Sequence, residues 1–283
     1  MLDMKRICIC IDDFGHSEGV DSAALVLAQK NHISALTAMV GGPHWPKSSP
    51  KLRELDRHKV DLGLHMDFTE FTLNPTCRYS LRTLWFRAYS RTLDVKLIYA
   101  EIKAQIDAFA SAVGRLPDFI DGHQHVHQLP VIRQCLVEVI NECYPQHKPA
   151  IRSTRAPSSK EQSGPLGPDP MNRWFKPLLI QTLGGDALHR LAAADGIGMN
   201  QHLLGVYGFT DKAEQYAKRL QEWLMMAQTG DLIMCHPSSD VDVNDGIGAA
   251  RVEEFAVFNS ARWPVWLDQA GIRLVPMHEC ASM

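Results

Sequence analysis

The sequence has no apolar run long enough to span a bilayer, no apolar segment near its start followed by a small-residue cleavage site, and no polybasic stretch. The first two absences argue against a membrane span and make a cytoplasmic location the expectation. The third, with a formal net charge of only −3, leaves no electrostatic footprint for nucleic acid; the expected partner is a neutral or weakly charged small molecule. Zinc-knuckle spacing is also missing. The seven cysteines (Cys8, Cys10, Cys77, Cys135, Cys143, Cys235, Cys280) are odd in number, scattered and mostly inside apolar runs, which reads as reduced core thiols of an intracellular protein. No internal repeat or linker breaks the 283 residues, so one domain over 1–283 is expected, long enough to bury a substantial core.

What is present is a histidine cluster. Asp121-Gly-His-Gln-His-Val-His127 holds three of the thirteen histidines, after the apolar pair Phe119-Ile120 and before an amphipathic stretch at 131–143. That is a strand-to-helix turn, where α/β proteins collect functional side chains. In extended backbone His123, His125 and His127 share one face; in a helix only His123 and His127 do. Either way two or more imidazoles converge, as a zinc-like cation requires.

Other apolar runs end the same way. The buried-strand pattern at 6–11 stops at Asp12-Asp13-Phe-Gly15, and carboxylates there are costly unless something cationic meets them. If strand geometry persists, the two aspartates point to opposite sides. Ser17 supplies the cap for a helix over 18–30, so neither aspartate is needed for capping. Further strands are expected at 34–40, 60–64, 149–151, 201–205, 231–235 and 272–275, ending in turns that carry His65, then Arg152 and Arg155, then His236. Helices are expected at 50–57, 93–113, 173–194 with a Gly184-Gly185 interruption, 211–228, 251–258 and 264–269. Two excursions depart from this rhythm: about 70–92, with aromatics that either line a sugar cleft or pack on the barrel, and 156–172, rich in Pro, Ser and Gly.

About seven strand–helix alternations predict an α/β fold: a (β/α) barrel, TIM-like but seven-stranded or distorted, with its active site at the strand C-terminal ends. Asp12, Asp13, His65, the histidine cluster, Arg152 and His236 then meet on one rim. A carboxylate plus two imidazoles leaves coordination positions open on a divalent cation, and the second aspartate, a histidine and an arginine can serve as base, acid and charge stabiliser. Amide hydrolysis suits this inventory, and ester or phosphate chemistry stays open.

In order and spacing, Ile11-Asp-Asp-Phe-Gly15, Leu62-Gly-Leu-His65, the cluster at 121–127, Arg152 with Arg155, and Met234-Cys-His-Pro237 resemble the YdjC-like carbohydrate deacetylases, the family that includes chitooligosaccharide deacetylase. The resemblance spans most of the chain. It implies a (β/α) barrel and metal-dependent removal of acetyl from an N-acetylated, N-acetylglucosamine-type sugar. Position by position it makes Asp13, His65 and His123 the metal ligands, Asp12 the base and His236 the acid, with Arg152 beside them. His125, His127, Asp121 and Arg155 are expected to touch substrate or brace the ligands from behind, His127 with a fourth-ligand role open. Gly122 and Gln124 depart from the family's commoner Ser and His, and extended geometry would turn Gln124 away from the metal. The mixed oxygen and nitrogen donors favour Mg or Zn, with Mn, Co or Ni compatible. A homodimer is compatible too. The competing readings are a metal-dependent phosphoesterase and a non-catalytic sugar-binding barrel.

Overall fold

The computed structural model describes residues 4–144, 146, 148–157 and 180–282. Most of the 156–172 excursion and the start of the helix expected at 173–194 lie outside the described residues.

Strand β1 (Lys5–Phe14) is central because Ile7 to Ile11 are wholly buried, an arrangement that requires partners on both edges and layers on both faces. The partners are β7 (Leu232–Cys235) beside Cys8–Ile11 on one edge, and on the other β8 (Ile272–Leu274) beside Lys5–Ile7 followed by β2 (Ala35–Ala38) beside Cys10–Phe14, all parallel. With β3 (Asp61–Met66), β4 (Phe119–Gly122), β5 (Ala150–Ile151) and β6 (Leu203–Leu204), the sheet runs β5-β4-β3-β2-β1-β7-β6. Its two ends meet through a lone parallel bridge, Ile151 to Met199, and through Leu203 N–H donating to the Arg155 carbonyl at 2.7 Å. The result is the expected parallel barrel, distorted, with one weak seam.

Helices follow the strands: α1 (Glu18–Gln29), α2 (Trp45–Ser48), α3 (Leu81–Tyr89), α4 (Val95–Val113), α5 (Ile132–Cys143), α6 (Asp186–Ala194), α7 (Ala213–Met226), α8 (Gly248–Phe258), α9 (Arg262–Gln269) and α10 (Met277–Ala281). None is long and apolar enough to cross a membrane. Ser17 caps α1 as expected, accepting from Val20 N–H, so the aspartates before it are not helix caps. Asp94 caps α4 and Gly114, at φ 83°, ends it. The expected helix at 50–57 is instead a 3-10 segment, Ser49–Glu54, opened by Pro50, and the sixth strand contracts to two residues.

Strand alternation sorts the core into two layers. Ile7, Ile9, Ile11, Leu36, Leu62, Leu64, Ile120, Ile151 and Ile233 join the large cluster under the helices. Cys8, Cys10, Ala35, Phe119, Ala150, Leu203, Leu232 and Met234 form a second cluster inside the barrel. Continuing the inner series to each strand's C-terminal end gives Asp12, Thr37, Asp121, Arg152 and His236. On β3, Asp61, Gly63 and His65 alternate with the outward Leu62, Leu64 and Met66, and so belong to that inner series.

Gly63 shows how tight the interior is, because a Cβ there would sit 2.6 Å from Phe119 Cζ. Gly63 pairs with Phe119 and His65 with Asp121 in the same ladder. Gly63→Ala is expected to lower stability by about 1–3 kcal/mol through overpacking, measured by urea unfolding; an unchanged midpoint would show that the β3–β4 spacing is not fixed by this contact.

Candidate active site

The rim residues surround a cavity of about 460 Å³ whose lining includes Asp12, Asp13, His65, His123, His236 and Arg251. It is open to substrate and of the size that small-molecule sites have.

Asp12 keeps the inward parity of β1, but Asp13 does not keep the outward one. The register with β2 shifts between Ile11 and Phe14, and Asp13 adopts φ 68°. This bulge swings Asp13 back to the rim, so both carboxylates line the same cavity. The expectation that they point to opposite sides is therefore corrected. A left-handed non-glycine residue costs about 1–3 kcal/mol and persists only where its surroundings hold it.

Those surroundings are two arginines and two histidines. Arg152 Nη1 and Nη2 donate to the two oxygens of Asp12, each at 2.6 Å, and Nη2 also lies 2.6 Å from Asp121 Oδ2. Arg251 Nη2 donates to Asp13 Oδ2 at 2.7 Å, and its Nε donates to Asp245 at 2.5 Å. Asp13 Oδ1 faces His65 Nε2 at 3.2 Å and His123 Nδ1 at 3.1 Å. Asp121 Oδ1 holds His65 Nδ1 at 2.6 Å.

Electrostatically the pocket favours positive charge. Burial would raise both Asp12 and Asp13, but Arg152 holds Asp12 below the usual carboxylate range, and Arg251 and His123 do the same for Asp13. Burial alone would depress His65; Asp121 and Asp13 more than reverse that and raise it to about 9. His123 is raised well above its ordinary value, against burial, chiefly by Asp13. Three buried carboxylates (Asp12, Asp13, Asp121) meet two buried guanidiniums (Arg152, Arg251), so a negative charge is left facing the two imidazoles.

Among the described residues two donor groups could hold a cation: Asp13, His65 and His123, or Asp12, His65 and Asp121, each with ligand atoms within 4.8 Å of one another. The second is already engaged, since Arg152 contacts both of its carboxylates. The first opens on the cavity, and its 3.1 and 3.2 Å separations match the roughly 3.0 Å expected between neighbouring donors on an ion with bonds of about 2.1 Å. The residues present therefore fit a divalent ion.

His236 also lines the cavity, with Nε2 3.8 Å from Asp12 Oδ2. Burial lowers it to about 4, against the pull of Asp12 and Asp13, so it is a neutral imidazole at neutral pH. The edge of Phe209 packs against it, ring centroids 5.2 Å apart. The histidine cluster departs from extended geometry: it forms a 3-10 turn, with Gln124 and His125 left-handed at φ 53° and 60°. Gln124 and His125 consequently line the cavity, contrary to the expectation that Gln124 turns away. His127 goes the other way, fully buried, with Nε2 3.0 Å from the Arg152 carbonyl. It braces the strand that carries Arg152 and is outside the cavity. Arg155 is not at the site either; its Nε is 3.4 Å from Asp186 on α6. The aromatics Tyr79, Trp85, Phe86 and Tyr89 are likewise absent from the lining, and Trp85 packs on the large core cluster.

Sequence reasoning missed Arg251, Glu254 and Glu70. Arg251 and Glu254 sit on α8 at a spacing that also suits a solvent-facing helix, and Glu70 lies in a segment without period. Glu254 is buried and accepts from His236 N–H at 2.6 Å and Tyr207 Oη–H at 2.7 Å.

The family model described as YdjC-like protein matches residues 6–269. A carbohydrate deacetylase of Mus musculus is 27% identical over 168 residues, 55% of this chain and 51% of that protein, so the matched stretch spans about half of its length. A chitooligosaccharide deacetylase of Yersinia pestis (strain Pestoides F) is 25% identical over 98% of this chain and 99% of that protein. Among solved structures, an Enterococcus faecalis V583 protein proposed to cleave cellobiose phosphate superposes with a TM-score of 0.69 at 18% identity, covering 98% and 99% of the two chains. At that identity the likeness speaks to the fold.

Burial raises the Glu254 carboxyl from 4.5 to about 7, partly offset by the His236 N–H and Tyr207 bonds. The folded state thus binds this proton more tightly than the unfolded one. The resulting stabilisation is complete below about pH 4.5, falls as pH rises and is lost above about pH 7, a change of at most about 3 kcal/mol. Glu254→Gln, which mimics the protonated acid, should flatten the stability profile between those limits; a variant whose urea midpoint tracks the parent's at every pH would contradict the assignment.

Proposed function

The chain belongs to the YdjC-like protein family, and on that premise we propose that it is a divalent-metal-dependent N-deacetylase acting on N-acetylated, N-acetylglucosamine-type sugars. The observation that carries this reading is the triangle of Asp13 Oδ1, His65 Nε2 and His123 Nδ1 lining a cavity that also receives Asp12 and His236. The names of the mouse and Yersinia relatives, both carbohydrate deacetylases, agree with it.

Asp13, His65 and His123 would hold the ion, which when bound polarises the acetyl carbonyl and acidifies water. Asp12 is the base. Arg152, bonded to both of its oxygens, keeps it ionised and aimed, and it accepts the proton of the attacking water. His236, 3.8 Å from Asp12 and neutral beforehand, takes from Asp12 the proton that came from water and hands it to the amide nitrogen as the C–N bond breaks. The products are acetate and the free amino sugar, and the proton taken from water ends on the departing amine. Phe209, Tyr207, Val206 and Ile247 give the cavity apolar wall, which suits the faces of a sugar ring and the acetyl methyl.

The direct test is acetate release from N-acetylated mono- and oligosaccharides with Mg, Zn, Mn or Co restored after chelation. Asp12→Asn is expected to lower kcat about 10²- to 10⁴-fold while metal binding is retained, whereas Asp13→Ala should lose both. Full acetate release by chelated Asp13→Ala, or phosphate release from sugar phosphates in place of acetate release, would overturn the proposal.

A further inference from the structure

Each of the two imidazoles at the cation site has a carboxylate behind it, and the second is a residue to which nothing above gives a role. His65 presents Nε2 to Asp13 and is held at Nδ1 by Asp121, a fully buried carboxylate. His123 presents the opposite nitrogen, Nδ1, to Asp13, while its Nε2 lies 3.2 Å from Glu70 Oε1. Glu70 is at the mouth of the cavity, with 38% of its side chain exposed. It belongs to neither donor grouping and meets the cation site through His123.

The backbone that carries Glu70 is fixed by buried polar groups. Asp67 accepts the N–H groups of Thr69, Glu70 and Phe71. From α4, Gln105 accepts from Asp67 N–H at 3.1 Å and donates to the Asp67 carbonyl at 2.8 Å. Glu101, also on α4 and buried, accepts from Leu73 N–H at 2.8 Å and Asn74 N–H at 3.0 Å. Polar side chains on the buried face of a helix are costly unless fully bonded; here their bonds hold one loop. The other oxygen of Glu70 lies 4.0 Å from His16 Nε2, so the carboxylate is bracketed by two imidazoles.

We propose that Glu70 is a positioning residue for the cation site: it accepts a hydrogen bond from Nε2–H of His123, which fixes the tautomer and ring orientation that turn Nδ1 toward the ion. The inference rests on the metal-dependent reading above and adds a residue to it. A carboxylate behind a ligating histidine raises its basicity and holds its ring, and losing such a partner typically costs about 10- to 100-fold in metal affinity.

The test is titration of the metal-free full-length protein with Co(II), read by the visible absorption of the bound ion, for the parent, Glu70→Gln and Glu70→Ala, with melting temperatures as a check on folding. Glu70→Ala should weaken Co(II) binding about 10- to 100-fold and alter the absorption envelope at an unchanged melting temperature. Glu70→Gln, whose amide oxygen can still accept from Nε2–H, should recover most of the affinity. Equal Co(II) affinity in parent and Glu70→Ala would overturn the role of Glu70 and leave the metal site standing, and so would a Glu70→Gln as weak as Glu70→Ala. A parent that binds no Co(II) at all would overturn both readings together.

Discussion

Two adjacent carboxylates are buried at the end of the central strand, and each has its own guanidinium. Arg152 closes on Asp12 and Arg251 on Asp13. Without them the pair would repel, protonate or leave the interior; removing one partner of a buried ion pair typically costs about 3–5 kcal/mol. The two bonds also differ in consequence. Arg152 takes both oxygens of Asp12 and thereby fixes it as an ionised, aimed group. Arg251 takes only one oxygen of Asp13 and leaves the other to the histidines. A single backbone bulge, with Asp13 in the left-handed region, makes this division possible.

The arrangement converts the alternation of a parallel barrel into a site. Residues of one parity fill the interior with cysteines, alanines, leucines, a methionine and one phenylalanine. At the strand ends the same parity delivers ionisable groups within hydrogen-bonding distance of one another. Arg251 links Asp13 to the loop segment 244–247, which lines the cavity, through its bond to Asp245. The polar face of α4 does the same for the loop bearing Glu70. The cation-site donors, Asp12 and the cavity walls are thus held by different elements, each tied to the sheet by a buried charged or polar bond.

The strand ends were legible in the sequence because apolar runs stopping at Asp12-Asp13, His65, Asp121, Arg152 and His236 carry two signals at once, a buried strand and an expensive polar stop. The side to which each group points was legible only where plain alternation held. It failed at Asp13, where a bulge intervenes, and at Gln124 and His125, where consecutive left-handed residues replace extended backbone. Spacing within the histidine cluster makes His127 a site candidate, and the family resemblance adds Arg155. Tertiary packing sends one under the Arg152 carbonyl and the other to Asp186. Arg251, Glu254 and Glu70 gave no signal, since a charged residue on a helix or in an aperiodic segment is ordinarily solvated, and only the fold brings these three against the rim.

The proposed function stands or falls on Asp13, His65 and His123 sharing one cation. Anomalous diffraction at the absorption edge of Co or Zn, from crystals grown with that ion, tests it most directly. One strong peak is expected, about 2.0–2.2 Å from Asp13 Oδ1, His65 Nε2 and His123 Nδ1. A peak between Asp12 and Asp121 with Arg152 displaced, or a fully occupied ion elsewhere with this triangle bare, would contradict it.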